Sequence, residues 1–201
     1  MKKFPHVISF YTKNSLYQLH ALCLEESCKK FEISYLLEGI DSWGSWELNC
    51  VYKPFFLLEK LEQLRKPLLW VDVDATFVRP VASLKCFKYP IAVFKDEALP
   101  WSHPSKVRSG TFYVNYTEEG KTFLKNWIEE SFCQLTDPNR KEEFWDQVAL
   151  RNVVKKSPRY GILPPSYLHI QGHPLDEKIS PNPVIIHTPI SQASKQLLFE
   201  N

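Results

Sequence analysis

Apolar positions along this chain follow two alternating rhythms. Short continuous runs bounded by proline, glycine or polar clusters read as strands, and stripes recurring every three or four residues read as helices. His6-Val7-Ile8-Ser9-Phe10-Tyr11-Thr12 is the first run. Lys13-Asn14-Ser15 turns out of it, with Asn14 or Ser15 placed to cap a helix. Leu16, Leu19, His20, Cys23 and Leu24 then recur at helical spacing to about Lys30. Ile33-Ser34-Tyr35-Leu36-Leu37 reads as a second strand, and Gly39 to Trp46 as a polar loop. A helix is predicted from about Leu48 to Arg65, with Tyr52, Phe55, Phe56, Leu58, Leu61 and Leu64 on its apolar side. Pro54 falls in its first turns, where proline is tolerated.

The run that follows carries the chemistry. Pro67-Leu68-Leu69-Trp70-Val71 is wholly apolar after its proline and leads straight into Asp72-Val73-Asp74-Ala75. Such a run reads as a buried strand. If the chain stays extended, Asp72 and Asp74 share one face with Cα atoms roughly 6.6 Å apart. Two carboxylates so placed can approach one hard cation, Mg2+ or Mn2+, which prefers oxygen ligands and keeps room for phosphate. Buried without a cation they repel and carry a desolvation cost. Three readings stand at this point: a turn-capping Asp beside a solvated one, a metal–diphosphate site, or the nucleophile and acid of a phosphatase.

Beyond it, Phe77-Val78-Arg79-Pro80 is a short extended piece and Tyr89 to Phe94 a strand. Leu99 to Arg108 is irregular and holds Trp101 and His103, as a lid over a site would. Ser109-Gly110-Thr111-Phe112-Tyr113-Val114-Asn115 is a strand entered through a glycine. Helices are predicted from Thr117 through Ile128 and from Phe144 to about Lys155, with Asp146 and Gln147 near the start of the second. Ile162-Leu163 ends a short strand, Val184-Ile185-Ile186-His187 is the last, and a terminal helix carries Lys195. A strand–helix–strand opening predicts an α/β fold with a mixed, mainly parallel sheet flanked by helices. Ligands in such folds sit beyond the carboxyl ends of the strands. The expected organisation is one domain over 1–201.

Composition narrows the function. The 25 basic and 23 acidic residues nearly cancel, which sets a dedicated nucleic-acid binder aside. Five scattered cysteines form no Cys-x-x-Cys pair, so neither a disulfide framework nor a closed zinc site is expected. After Met1-Lys2-Lys3, Pro5 and His6 interrupt what a signal peptide would need. No stretch reaches the length of a transmembrane helix, and a cytoplasmic location is the expectation.

Taken in order, the set is Phe10-Tyr11-Thr12, Asn49-x-x-x-Lys53-Pro54, Leu69-Trp70-Val71-Asp72-Val73-Asp74-Ala75, Ser109-Gly110-Thr111, Asp146-Gln147-x-x-Leu150, Leu163-Pro164 and Ile185-Ile186-His187. It resembles small GT-A-fold nucleotide-diphospho-sugar glycosyltransferases of bacteria, over nearly the whole chain. The resemblance implies Mn2+ or Mg2+ on Asp72, Asp74 and His187, holding the diphosphate of a donor, a UDP-sugar in the first instance. It implies Lys195 and Lys53 near phosphates or sugar, and Tyr11 and Thr12 in the nucleoside pocket. By position alone, Thr12 and Tyr17 sit just beyond the end of the first strand, where they either reach a nucleotide or serve as a helix cap and a packed aromatic. Ser109, Gly110 and Thr111 would flank the donor sugar and acceptor, and Asp146 and Gln147 would stand around the sugar and the attacking hydroxyl. The acceptor is an unknown glycan, lipid or protein. The stretch after His187 lacks the Gly and Lys-Pro-Trp ending of glycogenin-like transferases.

Two alternatives remain. Asp72-Val73-Asp74-Ala75-Thr76 also fits the first motif of haloacid-dehalogenase-type phosphatases, with Asp72 as nucleophile and Asp74 as general acid. Those enzymes carry that strand near the N-terminus and a later acidic pair, for which Asp96-Glu97 comes too soon. The other alternative is a non-catalytic relative that binds sugar or protein.

Overall fold

The structure is a computed structural model that describes residues 4–81, 88–140, 142 and 146–190. In chain order its elements are β1 (His6–Thr12), α1 (Leu16–Lys30), β2 (Tyr35–Ile40), α2 (Trp46–Leu64), β3 (Leu68–Val71) and β4 (Ala75–Phe77). There follow β5 (Ile91–Lys95), β6 (Val107–Val114), α3 (Glu118–Thr136), α4 (Asp146–Lys156) and β7 (Gly161–Ile162). The last are β8 (His169–Ile170), α5 (Pro174–Ile179) and β9 (Ile185–His187). The expected class holds: a mixed α/β protein with a mainly parallel central sheet flanked by helices. The chain divides into two compact units, one of Met1–Asp41, Val71–Ser83 and Pro164–Asn201, the other of Ser42–Trp70 and Leu84–Leu163.

In the first unit β1 pairs in parallel with β2, from Val7 opposite Tyr35 to Thr12 opposite Ile40. This pairing explains why β2 runs later than its apolar core suggests. Ile33 and Ser34 are used to leave α1 and meet β1, through Ile33 N–H to Cys28 O and Val7 N–H to Ser34 O. The ladder then draws Glu38, Gly39 and Ile40 into the strand. Gly39 makes the approach easy, because a Cβ would come within 3.1 Å of the Tyr11 ring lying across it and the ring would have to give by a few tenths of an ångström. A second, three-stranded sheet in order β4-β9-β8 completes the unit. Its short strands β8 and the helix α5 carry no apolar periodicity long enough to be read from sequence.

Helix α1 buries Ala21, Leu24, Ser27 and Cys28, and leaves Leu16, Leu19 and Cys23 exposed. The expected stripe therefore faces outward over its first two turns. The competing stripe wins because it meets β4, where Ser27 Oγ accepts from the Phe77 N–H. Ser15 is the N-cap residue, as expected, and Asn14 makes the turn before it at a φ of 56°.

In the second unit β5 pairs antiparallel with β6 and parallel with β7. Helices α2, α3 and α4 pack on one another, and α4 also packs on β6. Phe112 of β6 stands edge-on to Trp127 of α3 with centroids 5.2 Å apart, and Trp127 Nε1 donates to Asp146 O across 3.1 Å. Burying aromatic side chains of this size is worth about 1.5–3 kcal/mol each. Thr117 caps α3, accepting from the Gly120 N–H at 3.1 Å. Gly120 leaves no room for a Cβ, which would collide with Asn115 O. Helix α2 turns a different face inward than its apolar pattern predicts: Lys53 and Lys60 are buried with Val51, Phe56, Leu57 and Leu61. Each lysine has a reason to go inside, since the ammonium of Lys53 stands over Trp70 and that of Lys60 over Phe56.

Candidate functional site

The strand leading to the two aspartates stops at Val71. Asp72-Val73-Asp74 is a turn closed by the Ala75 N–H to Asp72 O at 3.0 Å, and β4 begins at once behind it. The extended geometry expected from the sequence is replaced by this turn. An apolar strand has no partner for two carboxylates, and the turn takes them to the strand's end.

The turn is fixed from the other side by the chain after β9. Thr188 N–H donates to Asp74 O at 2.9 Å, and Ile190 N–H to Asp74 Oδ2 at 3.4 Å. β4 and β9 run antiparallel with Ala75 opposite His187. That register delivers a third ligand: one ligand atom each from Asp72, Asp74 and His187 lies within 4.8 Å of the other two. His187 Nδ1 stands 3.9 Å from Asp74 Oδ1, beyond hydrogen-bond length. His187 is 4% exposed, so the imidazole is buried. Two carboxylates and an imidazole at this spacing suit a divalent cation with oxygen preference and some tolerance of nitrogen. Among the described residues no other group of three such side chains converges.

The chain resembles a solved structure described as a glycosyltransferase involved in the glycosylation of the major capsid of PBCV-1. The likeness has a TM-score of 0.65 at 13% identity, covering 98% of this chain and 100% of that one. The fold is GT-A-like. No protein-family model matches the sequence, and no curated protein matches it either.

Other expected site residues fall into this GT-A-like fold as follows. Tyr11 and Thr12 end β1. Thr12 Oγ1 is 2.9 Å from Ser15 Oγ, which donates to Thr12 O at 2.6 Å, so this hydroxyl helps shape the turn into α1. Tyr17 lies in the first turn of α1, half-buried.

In the second unit Lys53 Nζ lies 2.7 Å from Asp146 Oδ2, with both side chains 8% exposed. A buried charge pair of this kind ties α2 to the start of α4. The β5–β6 ladder jumps from Val93 opposite Phe112 to Phe94 opposite Arg108. Ser109, Gly110 and Thr111 are the residues passed over, so they bulge out of pairing with β5. Gln147 fills part of the gap: its Oε1 accepts from the Ser109 N–H at 3.3 Å and its Nε2 donates to Pro104 O at 3.2 Å. The loop expected to act as a lid is thus fastened. Arg151 holds it too, donating to Ser102 O at 3.2 Å. Lys195 and its helix, and Phe144 and Trp145, lie outside the described residues.

Sequence reasoning missed Arg151, which is buried and paired with Glu142 at 3.0 Å. The same holds for Lys95, whose ammonium lies 5.9 Å from the ring centroids of both Trp101 and Tyr160. Their separation along the chain gives no local pattern. No helix among the described residues is long and apolar enough to cross a membrane.

Proposed function

We propose that this chain is a metal-dependent glycosyltransferase that moves a sugar from a nucleotide diphosphate, a UDP-sugar, to an acceptor hydroxyl. The convergence of Asp72, Asp74 and His187 carries this reading. The likeness in fold to a glycosyltransferase supports the class. Mn2+ or Mg2+ fits the donor set, and Mn2+ accommodates the imidazole more readily. Bound there, the cation would supply Lewis-acid help by neutralising charge on the departing diphosphate.

The chain's own residues would do the rest. Asp72 and Asp74 offset the cation's charge, and the β4–β9 register keeps His187 beside them. Tyr11, Thr12 and Tyr17 are assigned to the nucleoside. Ser109, Gly110 and Thr111 are assigned to the transferred sugar, where β6 bulges out of its pairing with β5. Gln147 orders that bulge. Asp146 is assigned to the region of the attacking hydroxyl, with Lys53 acting through it as the cation that holds its carboxylate. Lys195 is assigned to the donor phosphates on the resemblance alone. A cytoplasmic location completes the proposal.

The experiment is hydrolysis of UDP-glucose and UDP-galactose without acceptor, read as released UDP. Release that needs Mn2+ or Mg2+ and disappears in Asp74→Ala is the expected result. Phosphate release from p-nitrophenyl phosphate, with UDP-sugars untouched, would instead make the protein a phosphatase.

A further inference from the structure

The connection between β5 and β6 is built as a rigid platform. Asp96 N–H donates to Lys106 O at 2.9 Å, and the buried Lys106 ammonium donates back to Asp96 O at 2.6 Å. His103 Nδ1 accepts from the Ser105 N–H, which starts a short 3-10 turn at Pro104–Lys106. From α4, Gln147 and Arg151 hold the carbonyls of Pro104 and Ser102.

This scaffold presents one large side chain, Trp101, half-exposed. The ammonium groups of Lys95 and Lys106 lie 5.9 and 5.8 Å from its ring centroid. Lys95 also lies 5.9 Å from the half-exposed Tyr160 ring, and 2.9 Å from the exposed Glu97 carboxylate. Glu97 is 3.7 Å from Lys106 as well. The Lys95 ammonium is held charged by its hydrogen bond to Glu97, which is in turn held below the ordinary carboxylate range by Lys95.

A half-exposed aromatic ring, with ammonium groups over it and a carboxylate beside them, combines the stacking surface and the polar partners that a pyranose uses. The sugar's C–H face is apolar and its rim is all hydroxyl, so the ring stacks while the rim hydrogen-bonds. Fixing the loop beforehand lowers the ordering cost of binding. The position also fits, because Gln147 bonds at once to this loop and to the bulged Ser109.

We propose that Trp101, with Lys95 and Glu97 beside it, is a subsite for a neutral pyranose of the acceptor. That it serves the acceptor rests on the transferase reading; that it binds a saccharide rests on the platform alone. Neutrality follows from Glu97 and the Asp96 carbonyl already answering the two ammonium groups.

The test is saturation-transfer NMR on the full chain, without nucleotide or metal. The probes are methyl α-D-glucopyranoside, methyl β-D-galactopyranoside and methyl α-D-mannopyranoside. At least one should receive saturation from the protein, with affinity reduced roughly tenfold in Trp101→Ala. Glu97→Gln, which leaves the platform intact, should weaken the same glycoside less, and Trp101→Phe should retain part of the binding. No contact with any glycoside, or equal contact in Trp101→Ala, overturns the subsite. The wild-type response to UDP with Mn2+ is read separately. Trp101-dependent glycoside binding without a UDP response keeps the saccharide site and removes its role as acceptor. A UDP response with glycoside contact indifferent to Trp101 removes the subsite and keeps the transferase.

Discussion

Ala75 faces His187 across the antiparallel β4–β9 ladder. Asp74 precedes Ala75 directly, so this single pairing sets the imidazole beside a carboxylate more than a hundred residues earlier in the chain. A slip of one residue would turn His187 to the other face of the strand. Fold and site chemistry therefore meet in one register.

Replacing a ligand should separate binding from stability. Asp74→Asn removes one of two close carboxylates, so without metal its melting temperature should equal or exceed that of the wild type. Its metal-dependent affinity for UDP should fall by about 100-fold or more, since even outer-shell changes cost 10–100-fold. His187→Ala should lose the same affinity. Calorimetric titration with UDP in Mn2+ checks both, and an unchanged affinity in either variant refutes the ligand assignment.

The Lys53–Asp146 pair should behave as a buried unit. Lys53→Met leaves Asp146 uncompensated and should cost about 3–5 kcal/mol. Lys53→Met combined with Asp146→Leu should cost clearly less than the sum of the two single changes. Urea unfolding of the four proteins measures this; additive losses would show that the pair is not coupled.

Glu130 links α3 to α4. Burial pushes its carboxyl up, but Asn152, Lys156 and Gln134 donate to it and hold it below its ordinary 4.5. A carboxyl lowered on folding contributes stability that is present above its unfolded value and lost as pH falls through the folded one. Wild type should therefore exceed Glu130→Gln in stability at neutral pH, with the gap closing below pH 4.5. A gap that stays constant to low pH would contradict this.

Burial pushes the Cys28 thiol up to about 12, with the Glu25 charge adding to it. Cys23 and Cys133 are exposed. Because the thiolate is the reactive form, iodoacetamide at neutral pH should label Cys23 and Cys133 in the folded protein and Cys28 only after unfolding. Labelling of Cys28 at the rate of Cys23 would contradict its placement.

The parts legible in the sequence are those with strong local signals. β1 and the N-cap of α1 follow from a run and a turn that agree. The α/β class follows from the alternation of strands and helices. Asp72, Asp74 and His187 converge as the resemblance implies, while a turn at Asp72 replaces the extended strand expected for the two aspartates. Faces were harder. The apolar stripe of α1 and that of α2 each had a rival, and tertiary partners decided between them, β4 in the first case and Trp70 and Asp146 in the second. Short elements such as β8 and α5 depend on pairing with β9 and on a buried Asp176 that accepts from the Ile170 N–H at 2.8 Å. The bulge at Ser109-Gly110-Thr111 exists only relative to β5, so no local pattern could announce it.

On the reading proposed above, the three converged side chains hold a cation that binds a nucleotide diphosphate. Thermal unfolding of the full chain with UDP or GDP, each with Mn2+ or with EDTA, tests it most directly. A ligand at about 100 times its Kd stabilises the folded state by about 2.7 kcal/mol. Melting temperature should rise with UDP and Mn2+ together, and should not rise with EDTA or in Asp74→Asn. No rise with either nucleotide, or an equal rise in EDTA, would contradict it.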